Sequence, residues 1–184
     1  MKRAVFLFAC FVAFVTDSLA QSKFAGEKGV SSVGVIAGYA IDNETIVIGA
    51  DYRYNIEDRI RLAPSILHVF RNDNYRYFNY AANLWYFNAD VHYLARITDK
   101  ITMYPIGGLG ISVWNFKYGL PGNMEGILGL DTESESKARV GLNLGFGVEM
   151  RLTQDIIAGA EFRYNLTSRH YRQAMIVGRV AYYF

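Results

Sequence analysis

Residues Arg139 to Leu152 read RVGLNLGFGVEMRL. Even positions carry Val140, Leu142, Leu144, Phe146, Val148, Met150 and Leu152. Odd positions carry Arg139, Gly141, Asn143, Gly145, Gly147, Glu149 and Arg151. Nothing breaks the alternation. A period of two puts successive side chains on opposite faces of a strand, whereas a helix would scatter them around its circumference. One face is wholly apolar and the other mixes glycine with charges of both signs. A transmembrane β-strand needs such a division, with hydrocarbon on one side and a polar lumen on the other.

The pattern recurs to the end of the chain. After Thr153-Gln154-Asp155, Ile156, Ala158, Ala160, Phe162, Tyr164 and Leu166 alternate with Ile157, Gly159, Glu161, Arg163 and Asn165. The last segment sets Ile176, Gly178, Val180, Tyr182 and Phe184 against Val177, Arg179 and Ala181. Alternation does not say which face points inward. A soluble ligand-carrying barrel would turn the apolar face to its interior.

Of the 184 residues, Met1 to Ala20 read as a secretory signal peptide. Lys2 and Arg3 start it, Ala4 to Val15 are apolar, and Ser18-Leu19-Ala20 is a small-x-small cleavage site. The apolar run is too short for a membrane-spanning helix, which argues against a retained anchor. Residues 21–184 then form one domain. Cleavage leaves 17 Lys plus Arg against 16 Asp plus Glu, a formal charge of +1. No basic excess is present to drive nucleic-acid binding. The single cysteine, Cys10, lies in the leader. Bulky Phe8 and the very short preceding apolar run make it a poor lipidation site. Mean hydropathy is +0.07, as expected when only every second residue meets lipid. The 14 Tyr and 12 Phe suit a membrane–water interface.

Taken in order, strands are expected at 31–41, 45–55, 59–70, 84–97, 101–118, 139–152 and 156–166, and from about 176 to the end. The third is the weakest, because Pro64 lacks a ladder donor. Asp42-Asn43-Glu44, Ile56 to Asp58 and Thr98-Asp99-Lys100 supply turns. Residues 71–83 and 119–137 read as loops. That makes an all-β, eight-stranded antiparallel up-and-down transmembrane β-barrel. Its short turns and longer loops fall on opposite ends, as in outer-membrane barrels, except that the first loop, Asp42 to Glu44, is short where a longer one is expected.

The polar face collects Asp51, Arg53, Asp90, His92, Arg96, Arg139, Glu149, Arg151, Glu161, Arg163 and Arg179. An eight-stranded barrel is just filled by side chains, so these charges are expected to pair as a lumen ion-pair network. A narrow proton or ion path is the alternative. Ser168 and His170 stand two apart, but no acid is placed to complete a triad. His68, His92 and His170 are too scattered for a metal motif. Asp131, Glu133 and Glu135 lack the spacing of a calcium loop. Gly107-Gly108-Leu109-Gly110 lacks the Lys-Ser/Thr of a phosphate loop. No cofactor, metal or catalytic residue is expected.

Gly141-x-Asn143-x-Gly145-x-Gly147-x-Glu149-x-x-Leu152-Thr153, then Glu161-Phe162-Arg163-Tyr164, resemble the small outer-membrane β-barrel family, OmpA/OmpX-like and often labelled porin-family barrels. The end, Val180-x-Tyr182-x-Phe184, resembles the C-terminal assembly signal of such proteins. The resemblance implies a Gram-negative outer-membrane location. It implies as partners outer-membrane lipids, the barrel-assembly machinery and an unidentified surface partner. The chain stops at the barrel, with no periplasmic peptidoglycan-binding domain, so tethering is not implied. The leading expectation is a structural or surface-interaction barrel with a closed or very narrow lumen. A lipid-modifying enzyme, a small porin and a soluble carrier are the alternatives.

Overall fold

The computed structural model describes residues 27–70, 81–118, 133–153, 155–167 and 172–184. The leader, Ser168, His170 and Asp131 lie outside them. The strands are β1 (Ser31–Ala40), β2 (Thr45–Glu57), β3 (Ile60–Val69), β4 (Ala81–Tyr93), β5 (Ala95–Arg96), β6 (Ile101–Tyr118), β7 (Glu133–Arg151), β8 (Ile156–Leu166) and β9 (Gln173–Tyr183). All pairings are antiparallel. β4 pairs with β6 and β1 pairs with β9, so the sheet closes on itself. Closure runs to the last residue, where Ser31 and Phe184 exchange two backbone hydrogen bonds of 3.0 Å.

β5 is the tail of β4. The register His92↔Ile106 continues without a slip to Ala95↔Met103. In that register Tyr93 stands opposite Pro105, which has no N–H for the ladder. The barrel therefore has eight staves. Among the described residues there is no helix.

Pro64 does not stop β3. It pairs with Ala89 of β4, while the β2 ladder skips from Asp51↔Ser65 to Tyr54↔Leu62. Its ring lies on the exposed outer face.

Exposure decides the orientation of the faces. Val35 is 67% exposed, Val140 70% and Leu142 54%, while Arg53 is 1% and Glu161 2% exposed. Apolar side chains clothe the outside and charges fill the inside, the reverse of a soluble barrel. Tyr52, Tyr54, Tyr93, Tyr182 and Phe184 ring the outside of the end where β1 begins and β9 ends. Rings with an apolar body and a polar tip settle at a membrane–water boundary.

That end has tight turns. Thr98 Oγ1 accepts from the backbone N–H of Ile101 at 3.1 Å, and Thr153 Oγ1 from that of Ile156 at 3.0 Å. The opposite end differs from expectation. Ala81 to Asn83 belong to β4, and β7 begins at Glu133, inside the expected loop. β6 and β7 pair over their whole length, from Ile101↔Met150 to Tyr118↔Glu133. They span 18 and 19 residues, where about ten suffice to cross a bilayer. The excess forms a ribbon beyond the lipid-facing belt. A ribbon in water needs no apolar face, which is why Glu133-Ser134-Glu135-Ser136 carried no strand signal.

Candidate functional site

The lumen gathers charged groups inside the barrel, and parity supplies its lining. Four arginines and four acids meet there. Arg53 Nε reaches Asp51 Oδ2 at 2.8 Å, and its Nη2 pairs with Glu161. Arg61 grips Glu149 with both terminal nitrogens, at 2.9 and 2.8 Å. Arg163 holds Glu161 at 2.7 Å and Asp90 at 3.1 Å. Arg179 Nε reaches Asp51 at 2.8 Å. Planar guanidinium forks suit such shared carboxylates.

Tyr104 sits at the hub. Its hydroxyl donates to Glu161 at 2.8 Å and accepts from Arg53 Nη1 at 2.9 Å. The guanidinium carbons of Arg53 and Arg61 lie 5.5 and 5.8 Å from its ring centroid. His92, fully buried, stacks on the same ring at 4.7 Å.

Two glycines make room for this. A Cβ on Gly34 would fall 2.7 Å from Arg179 Nε and from Asp51 Oδ1. Asp51 on β2 and Arg179 on β9 thus meet across β1 through the gap that Gly34 leaves. A Cβ on Gly147 would fall 2.5 Å from the Tyr104 ring.

Of the residues expected in the lumen network, Asp51, Arg53, Asp90, Glu149, Glu161, Arg163 and Arg179 come together as buried pairs. Three do not. Arg139 is exposed at the outer end of β7, where its Nη1 donates to the Ala138 carbonyl. Arg151 is half-buried at the other end of β7. Both point inward by parity but lie where the lumen meets water. Arg96 is half-buried at the mouth beside the termini, and its Nε and Nη2 have no hydrogen-bond partner. Sequence reasoning missed Arg61 and Tyr104. The odd parity Arg61-Ala63-Ser65-Leu67 carried the signal for Arg61, and Pro64 obscured it.

The inner wall changes character along the axis. Toward the loop end, Ile36, Ala40, Val47, Leu67, Val69, Leu84, Tyr86, Trp114, Met175 and Val177 pack into one apolar cluster. A polar ladder climbs beside it. Asn143 Nδ2 donates to Asp90 at 2.8 Å, and Asn165 Nδ2 to Asn143 Oδ1 at 2.7 Å. A cavity of about 10 Å³ lies between ladder and cluster, lined by Asn88, Asp90, Asn143, Arg163, Asn165 and Met175 among others. It has room for about one water.

Val180, Tyr182 and Phe184 are 51, 54 and 65% exposed on the outer face, with the Tyr182 and Phe184 rings stacked at 6.5 Å. His68 is outside the barrel against Trp85, at 4.3 Å, and His92 is inside. Among the described residues no group of three metal-ligating side chains converges.

A closed barrel with a lipid-facing exterior and a charged interior defines an integral β-barrel membrane protein. The outer membrane protein beta-barrel domain model matches residues 6–184, and the chain belongs to that family. Its location is accordingly the bacterial outer membrane. The fold is similar to the N-terminal β-barrel domain of Pseudomonas aeruginosa OprF, with TM-score 0.58, 15% identity, and 85% of this chain and 98% of that one covered. It is also similar to Ail, the attachment invasion locus protein of Yersinia pestis, with TM-score 0.57, 17% identity, and 85 and 99% covered. Neisserial surface protein A aligns with TM-score 0.60 and 16% identity over 84 and 96%. At these identities the likeness is one of fold. No curated protein matches the chain in sequence.

Proposed function

We propose that this protein is a non-enzymatic surface-interaction barrel with a closed lumen, which displays the β6–β7 ribbon outside the cell. The observation that carries the reading is the mismatch between β7 and β8. The β7–β8 register ends at Leu142↔Leu166, whereas β7 runs outward to Glu133. Ser136, Ala138, Arg139 and Val140 are exposed along that stretch. A strand edge of this kind is a template for pairing with an extended segment of another chain.

The closed lumen is supported by the ion pairs below and the apolar cluster above. On this reading outer-membrane lipids surround the belt and the assembly machinery inserts the chain after removal of residues 1–20. Val180, Tyr182 and Phe184 act as its assembly signal. Replacing residues 115–136 with an Asn-Gly turn shortens the ribbon by whole cross-strand pairs. The shortened protein is expected to reach the outer membrane in normal amount. Cells displaying it should bind surfaces and extracellular proteins less than cells displaying the full chain. Equal binding would sink the interaction role. In planar bilayers the purified protein should give no large, steady single-channel conductance, and a steady open channel would make it a porin.

A further inference from the structure

The outer stretch of β7 has both a bonding phase and a charge order. Arg151 N–H bonds the Lys100 carbonyl on the β6 side at 2.9 Å, and Leu152 N–H bonds the Ile156 carbonyl on the β8 side at 2.9 Å. The β6–β7 register then runs from Ile101↔Met150 to Tyr118↔Glu133 without a slip. Peptide groups in an antiparallel ladder turn to alternate sides, so odd residues of β7 address β6 and even ones the opposite side. Ser134, Ser136, Ala138 and Val140 therefore turn N–H and C=O toward the β8 side. Among the described residues no strand pairs with that side beyond Leu142. The odd positions between them are Glu133, Glu135, Lys137 and Arg139, two acids followed by two bases. Alternate positions share a face of the strand.

Resting on the ribbon's role in surface interaction, we propose that this edge takes an extended segment of another protein, paired antiparallel, that reads acid-x-acid-x-base-x-base. Run antiparallel, such a segment sets its acids opposite Arg139 and Lys137 and its bases opposite Glu135 and Glu133. These odd positions are the pairs that exchange no hydrogen bonds, where side chains come closest. Opposite charges so placed attract, and like charges repel. The even positions supply the backbone bonds, so bonding phase and charge order select one register. A shift of two residues either way, the smallest that keeps the bonds, sets like charges face to face. A neighbouring copy at the same depth in the same membrane does not fit. Its β7 runs in the same direction, so edge-to-edge pairing puts acid on acid and base on base. The edge is thus guarded against its own copies and open to a segment arriving from outside the membrane.

The test uses the full barrel in lipid nanodiscs at low salt and two fluorescent heptapeptides of one composition. The first has the sequence of residues 133–139, Glu-Ser-Glu-Ser-Lys-Ala-Arg. The second exchanges the charges, as Lys-Ser-Arg-Ser-Glu-Ala-Glu. Fluorescence anisotropy is expected to show the first bound and the second about tenfold weaker or more. A barrel carrying Glu133→Lys, Glu135→Lys, Lys137→Glu and Arg139→Glu is expected to reverse that order. N-methylation of the second, fourth and sixth residues of the first peptide, whose N–H groups face β7, should abolish binding, and methylation of the third and fifth should not. Equal binding of the two peptides, or an unchanged order in the variant, would overturn the proposal. Binding that survives replacement of residues 115–136 by the Asn-Gly turn would do the same. No peptide binding, alongside lost surface binding by cells with the shortened ribbon, would overturn it and leave the ribbon its broader role. Nanodiscs that associate through the ribbon, in competition with the first peptide, would make a second copy the occupant and overturn it as well.

Discussion

Glu161 shows how much one residue carries when it is buried among opposite charges. Its two oxygens are shared by Arg53, Arg163 and Tyr104. Glu161→Ala leaves two arginines without that partner in a space that holds little water. Breaking a buried pair in this way costs about 3–5 kcal/mol. The expected result is a matching loss of unfolding free energy in detergent, with Glu161→Gln losing less because it keeps an acceptor for one guanidinium. A change below about 1 kcal/mol, the scale of exposed pairs, would mean that solvent fills the lumen. Gly34 matters for the opposite reason, since it contributes only empty space. Gly34→Ala pushes a methyl into the Arg179–Asp51 contact, and overpacking of this kind costs about 1–3 kcal/mol. Thermal melts of Gly34→Ala, alone and combined with Asp51→Asn, should show less than additive losses, because both changes strike one interaction. At this scale parity alone located seven of the ten expected lumen residues in buried pairs. It did not separate Arg139, exposed, and Arg151, half-buried, from the buried seven, because a period of two gives the face and not the height along the barrel. It could not foresee which arginine pairs with which acid, as that depends on reach across the barrel.

Strands were legible in the sequence wherever one face had to be apolar. β6 spans Ile101–Tyr118 and β8 Ile156–Leu166, as the alternation predicts. Errors gathered where that demand lapses. The outer end of β7 stands in water and alternates between glutamate and serine, so it read as loop. Pro64 lowered the standing of β3, although its outward ring removes only one stretch of the β2 ladder. The last strand carries a sharper question. Phe184 adds two backbone hydrogen bonds to closure and a ring to the outer aromatic band. Its deletion should therefore cost the folded barrel about 1–3 kcal/mol, the scale of one large apolar side chain. If Val180, Tyr182 and Phe184 also act as an assembly signal, the loss in cells exceeds what that figure allows. The expected outcome for the deletion is a near-normal folding yield in detergent micelles and a severely reduced outer-membrane yield in cells. Equal outer-membrane yields of the two chains would leave Phe184 with an anchoring role only.

At the scale of the whole molecule, the division of the interior was present in the sequence but unread. Inward positions run Val47, Gly49, Asp51, Arg53 and Asn55 along β2, and Val69, Leu67, Ser65, Ala63 and Arg61 along β3. Both pass from apolar at the loop end to charged at the termini end. Reading each strand for its face, without comparing heights between strands, hid the gradient. What no single strand discloses is the partnership across β1. Asp51 of β2 and Arg179 of β9 are joined across β1, over the seam where the first and the final strand meet. That bond gives the barrel a mechanical polarity. Pulled by its C-terminus in a force spectrometer, β9 cannot peel away as a plain ribbon of backbone bonds. The residues that leave first, Tyr183 tied to Arg61 at 2.7 Å and then Arg179 tied to Asp51, must release side chains from two more distant staves. The rupture of β9 should appear as a peak higher than those of later hairpins, and Asp51→Asn should lower that first peak alone.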